Sequence, residues 1–297
     1  MNRSTFLSTT TIAALTAATF VATAAPARAQ APIIITAATS INAANTTYEN
    51  QDIIVRGATV TIDGTHTFRS MVIENNGVVT CSAMTEPNFV NGLRFNITND
   101  LTVLAGGKIN VSFLGHGNGS GPGAGQSNPN SGTGASFGGF GTGGVADTPY
   151  GDIRLPADAP SGQNFGSGGG LRTGQSGNGG RGGGCIKLTV GGILTHNGLI
   201  TADGEGAGGN GGGSGGAIQL NANTLAGGGA VQAVGGGAGY GGGSGSGGRI
   251  AIYYTIKTFT GSILSRGDYS DTYGHGGAGT VYVKQNSQTY GDLIHCA

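Results

Sequence analysis

The sequence predicts an all-β chain, a right-handed parallel β-helix (β-solenoid) with long glycine-rich loops. Three observations carry that expectation. Short strands with alternating apolar residues recur at a fixed spacing, and each of them ends a glycine tract. Glycine makes up 64 of 297 residues, with four before position 105 and 60 in the 193 residues that follow. The third observation is negative: no strict Gly-X-Y period runs through the chain and only 8 prolines occur, which excludes a collagen-like triple helix.

The repeat is seen in four segments, GGGCIKLTV from Gly182, GGSGGAIQLNA from Gly212, GSGGRIAIYY from Gly245 and GGAGTVYVK from Gly276. Their first apolar residues, Ile186, Ile218, Ile250 and Val281, lie 32, 32 and 31 positions apart, and Leu188, Leu220, Ile252 and Val283 repeat the spacing. A second strand follows each of the first three: Ile200-Thr201-Ala202, Val231-Gln232-Ala233 and Ile263-Leu264-Ser265. Upstream, Ile53-Ile54-Val55, Val60-Thr61-Ile62, Met71-Val72-Ile73, Leu93 to Ile97 and Ile109-Asn110-Val111 predict earlier levels of the same kind. Two short strands cannot bury a face alone, but stacked on copies of themselves they enclose a continuous interior. Because strand side chains alternate, the two aliphatic columns point inward and the residues between them point out; a one-residue slip would bury Lys187 and Lys284.

Domain organisation follows from composition. Residues 1–29 have the form of an export signal: Arg3, an apolar and threonine stretch from Ile12 to Ala25, and the small-x-small pattern Ala27-Arg28-Ala29, which places cleavage after Ala29. Residues 30–48 form a lead-in, and residues 49–297 the repeat domain. Residues 115–184 are an insertion within one level, expected to lie on the surface, with stacked polyglycine-II-like layers as one form it can take. No later segment has 18 consecutive apolar residues, so no membrane-spanning helix is expected. The predicted location is secreted, either extracellular or at the cell surface. Three cysteines, Cys81, Cys185 and Cys296, leave at least one unpaired within a chain.

A formal net charge of zero without a Lys/Arg cluster argues against nucleic acid as a partner. Calcium-binding glycine repeats need a regularly placed aspartate, which GGNGGGSGG and GGGAGYGGGSG lack, and the one Gly-Lys pair, Gly107-Lys108, is followed by Ile109 rather than Ser or Thr. No cofactor or metal is expected. The outward columns of the predicted sheet read Arg94, Lys187, Gln219, Ala251, Tyr282 and Asn96, Thr189, Asn221, Tyr253, Lys284. Neither contains a carboxylate, whereas glycoside hydrolysis calls for a pair. From these columns Arg94, Lys187, Asn221, Tyr253, Tyr282 and Lys284 are the candidate ligand-binding residues, with polar and aromatic groups suited to sugar hydroxyls; no catalytic residue is assigned. The acids Asp203 and Glu205, and Asp268 and Asp271 with His275, sit in turns where capping of backbone amides is expected. Asp147, Asp152, Arg154 and Asp158 fall in the insertion, where a cleft over the polar face would have to form. An ice-binding threonine array is opposed by Asn221 and Tyr253 at the positions equivalent to Thr189.

The segments IIVRGATVTIDGTHTF, GGSGGAIQL, GGSGSGGRIAIYY and GGAGTVYVKQNSQTYGDLI resemble the glycine-rich repeat regions of large bacterial surface and secreted β-solenoid proteins of adhesin-like type. Such chains typically run on past the GDLI element, whereas this sequence stops at Ile294-His295-Cys296-Ala297. The resemblance implies a structural or adhesive role, with polysaccharide or further copies of the chain as partners. The alternative expectation is a polysaccharide lyase or glycoside hydrolase of the β-helix type.

Overall fold

The computed structural model describes residues 30–85, 92–143, 148–160, 162–174 and 176–295. The export signal, Asp147 and Cys296 lie outside them. Residues from Ala31 onward form a unit of their own, and among the described residues its helical content is a single 3-10 turn, Pro156–Asp158.

The repeat spacing is the pairing register of the strands. Cys185–His196 pairs in parallel with Ala217–Ala226, that strand with Arg249–Lys257, and the last with Thr280–Gln285. Ile186, Ile218, Ile250 and Val281 are direct partners along this ladder, as are Leu188, Leu220, Ile252 and Val283. Upstream, Leu93–Ile97 pairs with the first half of Cys185–His196 and Leu101–Val103 with its second half, the two halves being separated by a register shift between Val190 and Ile193. The shift falls at Gly191-Gly192, where the backbone lies close to Thr98, Asn99 and Asp100 of the neighbouring strand pair. Residues Ile33–Ile35, Asp52–Arg56 and Ser70–Glu74 extend the sheet toward the N-terminus.

The second strands form their own ladder. Val60, Val79, Ile109, Ile200, Val231 and Ile263 are successive partners in a seven-stranded parallel sheet that runs from Thr39–Ile41 to Ser262–Leu264. Inward residues of both sheets meet in one hydrophobic core, in which Ile186, Ile218, Ile250, Ile109 and Ile200 are fully enclosed.

The predicted right-handed parallel β-helix with long glycine-rich loops is corrected on this evidence. The strands divide between two open sheets, one of 11 strands and one of seven, with a separate two-stranded antiparallel ribbon, Tyr269–Ser270 with Gly274–His275; none closes into a barrel. The larger sheet is mixed, because Asp292–His295 folds back antiparallel onto Thr280–Gln285 and covers its outer edge. A fixed spacing dictates which residues pair, but not how strands are shared between sheets or what the connecting segments do.

Nor are the glycine tracts loops. Along residues 211–216 the backbone N–H groups point in three directions in turn. Those of Gly211 and Ser214 donate to Gly170 and Ser167, those of Gly212 and Gly215 to Gly243 and Ser246, and those of Gly213 and Gly216 to Glu205 and Ala202. Residues 243–248 repeat the pattern: Gly243 and Ser246 donate to Gly132 and Ala135, Gly245 and Gly248 to Gly236 and Ala233, and Gly247 to Gly277. Donors that recur every third residue belong to a threefold extended strand of the polyproline II type, so each such strand bonds to neighbours all round rather than within one sheet. The insertion contributes the outer members of this bundle through residues 115–125, 132–142 and 166–170. Only glycine fits at the closest approaches. A Cβ on Gly134 would lie 1.9 Å from the Ser244 carbonyl oxygen, and one on Gly245 2.0 Å from that of Gly213.

Candidate functional site

The outward face of the larger sheet is covered by residues 150–158 of the insertion, and Arg249 holds them there. Its outward position on the sheet is 5% exposed; Nε donates to the Tyr150 carbonyl at 2.6 Å, Nη2 to the Phe137 carbonyl at 3.3 Å and Nη1 to Thr280 Oγ1 at 3.1 Å. The guanidinium also lies over the Phe137 ring, 5.6 Å from its centroid. Tyr150 is partly buried; its hydroxyl donates to the Phe165 carbonyl at 2.6 Å and shares a hydrogen bond with Ser167 Oγ at 2.6 Å, and desolvation of the hydroxyl pushes its pKa up.

A second anchor lies farther along. Asp158 accepts both of its Lys187 Nζ hydrogen bonds, at 2.6 and 2.8 Å, and one from Gln219 Nε2 at 3.2 Å, with Arg94 Nη1 at 3.6 Å. Arg94 Nη2 donates to the Ala157 carbonyl at 2.6 Å. Burial raises the Asp158 carboxyl, but the Lys187 and Gln219 hydrogen bonds and the two cations outweigh it and hold the pKa below the usual value. Two predicted ligand-binding residues, Arg94 and Lys187, are therefore engaged in fastening the insertion to the sheet.

Beyond these anchors the face stays open as a groove of about 360 Å³. Tyr253, Tyr282 and Lys284 of the sheet line it, with Asp152, Arg154 and Leu155 of the insertion on one side and Thr289, Tyr290 and Gly291 on the other. The structure thus brings together three of the six predicted residues. Asn221 stands in the same outward column, paired with Tyr253, which in turn pairs with Lys284, but it does not line the groove. The Tyr253 and Tyr282 rings are 5.9 Å apart between centroids and tilted by 57°. Tyr253 Oη donates to the Arg154 carbonyl at 2.6 Å, and burial raises its pKa. The Gly291 N–H donates to Tyr282 Oη at 3.0 Å, which leaves the hydroxyl proton of this largely buried tyrosine available to another acceptor. Asp152 Oδ1 accepts the N–H groups of Arg154 and Leu155 at 2.6 and 2.9 Å.

Tyr290, 82% exposed, and its neighbours Thr289 and Gly291 were not legible as site residues, since their placement depends on the antiparallel return of Asp292–His295. The acidic turns serve the chain's own backbone and polar groups. Asp203 accepts from Val234 N–H, Thr201 Oγ1 and Gln232 Nε2, Glu205 accepts from Arg181 N–H, and Asp271 from Tyr240 N–H. Burial nevertheless raises the Asp203 pKa. Cys81 and Cys185 are buried free thiols, pushed up to about 12 and about 11 by desolvation, which makes them poor nucleophiles. Among the described residues no group of three or more His, Cys, Asp or Glu is placed to hold a metal ion, and no helix is long and apolar enough to cross a membrane. No protein family model, no curated protein and no solved structure matches this chain.

Proposed function

We propose that this chain is a secreted or cell-surface protein of structural or adhesive kind that binds glycans in the Tyr253–Tyr282 groove. The observation that carries this reading is the composition of the groove: two adjacent tyrosine rings, a third exposed tyrosine, and charged groups from two separate segments around them. Aromatic faces pack against the C–H faces of pyranose rings, while hydroxyls and charges fix orientation, an arrangement usual for small-ligand sites. Hydrogen bonds from Tyr253 to the Arg154 carbonyl and from Gly291 to Tyr282 hold the two adjacent rings in place, so little ordering entropy of these rings remains to be lost on binding.

Binding is favoured over cleavage on chemical grounds. Asp152 is the one carboxylate among the described residues lining the groove, and one of its oxygens is occupied by two amides, whereas glycoside hydrolysis uses two carboxylates. A tyrosinate base is disfavoured by the raised pKa of Tyr253. Self-association is the accompanying proposal, because the outer strands Ile33–Ile35 and Asp292–His295 expose Ile34, Leu293 and Ile294 at the two ends of the larger sheet. The test is a panel of neutral and acidic glycans incubated with wild type and Tyr282→Ala, read for retention and for new reducing ends or unsaturated products. Retention lost in the variant, without products, supports the proposal. Product formation by wild type, or no retention of any glycan, overturns it.

A further inference from the structure

We infer that the groove selects acidic pyranose saccharides of the uronate type, with Lys284 and Arg154 as the groups that read the carboxylate; this rests on the glycan reading above. Most side-chain cations of the chain are already engaged. Arg56 pairs with Glu74, Arg69 with Asp52, Arg94 and Lys187 with Asp158, and Arg266 with Asp268. Arg172, Arg181 and Arg249 donate to backbone carbonyls. Among the described residues, the side-chain cations of Lys108, Arg154, Lys257 and Lys284 have no hydrogen-bond or ion-pair partner, and of these four Arg154 and Lys284 line the same groove.

Their positions are set by the backbone rather than by a counter-ion. The Arg154 carbonyl accepts from Tyr253 Oη and the Arg154 N–H donates to Asp152, so the main chain at this residue is held from both ends while the side chain stays uncommitted. Lys284 is the direct strand partner of Tyr253, which places it one pairing step along the sheet from that ring. Asp152 is the single anion facing these two cations, so the groove keeps a net positive charge. A neutral sugar would leave one of the two positive charges in the groove unbalanced, whereas a uronate carboxylate accepts from the cations and can also accept the Tyr282 hydroxyl proton. Arginine presents a planar fork suited to bidentate carboxylate contact, and lysine a point charge.

The test compares a short oligogalacturonate with its fully methyl-esterified form, in which each carboxylate becomes a neutral methyl ester, by calorimetry on the whole chain. The acid is expected to bind about tenfold or more tightly than the ester, and to weaken as salt rises. Lys284→Gln and Arg154→Gln should each remove most of that preference, so that acid and ester bind nearly alike; both sites are at the surface, and an unchanged melting temperature verifies the fold. Equal affinity for acid and ester in wild type, or variants that retain the preference, overturns the inference and leaves the glycan reading standing. Binding of neither form, together with an empty glycan panel, overturns both.

Discussion

Alanine in place of Gly213 is the sharpest perturbation of the glycine bundle. The new Cβ would stand 2.0 Å from the Arg181 carbonyl oxygen and 2.4 Å from its carbonyl carbon, well inside contact distance. Relief by local movement is blocked, because the Gly213 N–H donates to Glu205 and its carbonyl accepts from Gly236. Overpacking in such a site costs about 3 kcal/mol, and the lower entropy of an unfolded alanine returns about 0.5 kcal/mol, leaving a net loss of roughly 2 to 3 kcal/mol. In a domain of this size that lowers the melting temperature by about 4 to 10 °C. Gly208 is the control: a Cβ there meets nothing within 4 Å and its φ is not positive, so Gly208→Ala is expected to gain about 0.4 to 1 kcal/mol. Urea denaturation of both variants beside wild type reads the difference. Equal midpoints for the two, or a Gly213→Ala variant as stable as wild type, would refute the close packing of the tracts.

Two further effects concern titration. His196 is buried and stacked on Phe259; its Nε2–H donates to the Ala230 carbonyl while Nδ1 has no partner, and desolvation lowers its pKa. A depressed histidine stabilises the fold above its ordinary value of about 6.5, and that contribution is lost as pH falls through the lower folded value. The urea midpoint of wild type should therefore drop on acidification below about pH 6.5, with a flatter profile in His196→Gln; identical profiles would contradict the burial. Asp158→Asn leaves Lys187 and Arg94 without their anion, at a cost of about 1 kcal/mol for this part-exposed cluster. Faster amide exchange at residues 150–158 is the expected signature. Because the Asp158 pKa is depressed, its contribution is present above about pH 3.9 and fades as pH falls through the folded value.

The strand register was legible along the chain, whereas the β-helix inferred from it was overturned. The spacing of Ile186, Ile218, Ile250 and Val281 gave the ladder register, because side chains of one face must fall in line when strands stack directly. The outward columns identified Tyr253, Tyr282 and Lys284 by the same alternation. What remained hidden lacks a side-chain pattern. The three-directional bonding of residues 211–216 is made by backbone amides, and a tract of glycines carries no mark of where each N–H will point. Likewise, Asp158 reaches Lys187 across 29 positions and Arg154 reaches Tyr253 across 99, contacts between unrelated parts of the chain that no local spacing records. Sequence determined which residues stack and which face outward, through the two-residue period of a strand. The tertiary structure alone decided that the insertion lies over that face, takes up two of its cations and leaves a groove beside the two tyrosines, because these contacts form only once distant segments are packed together.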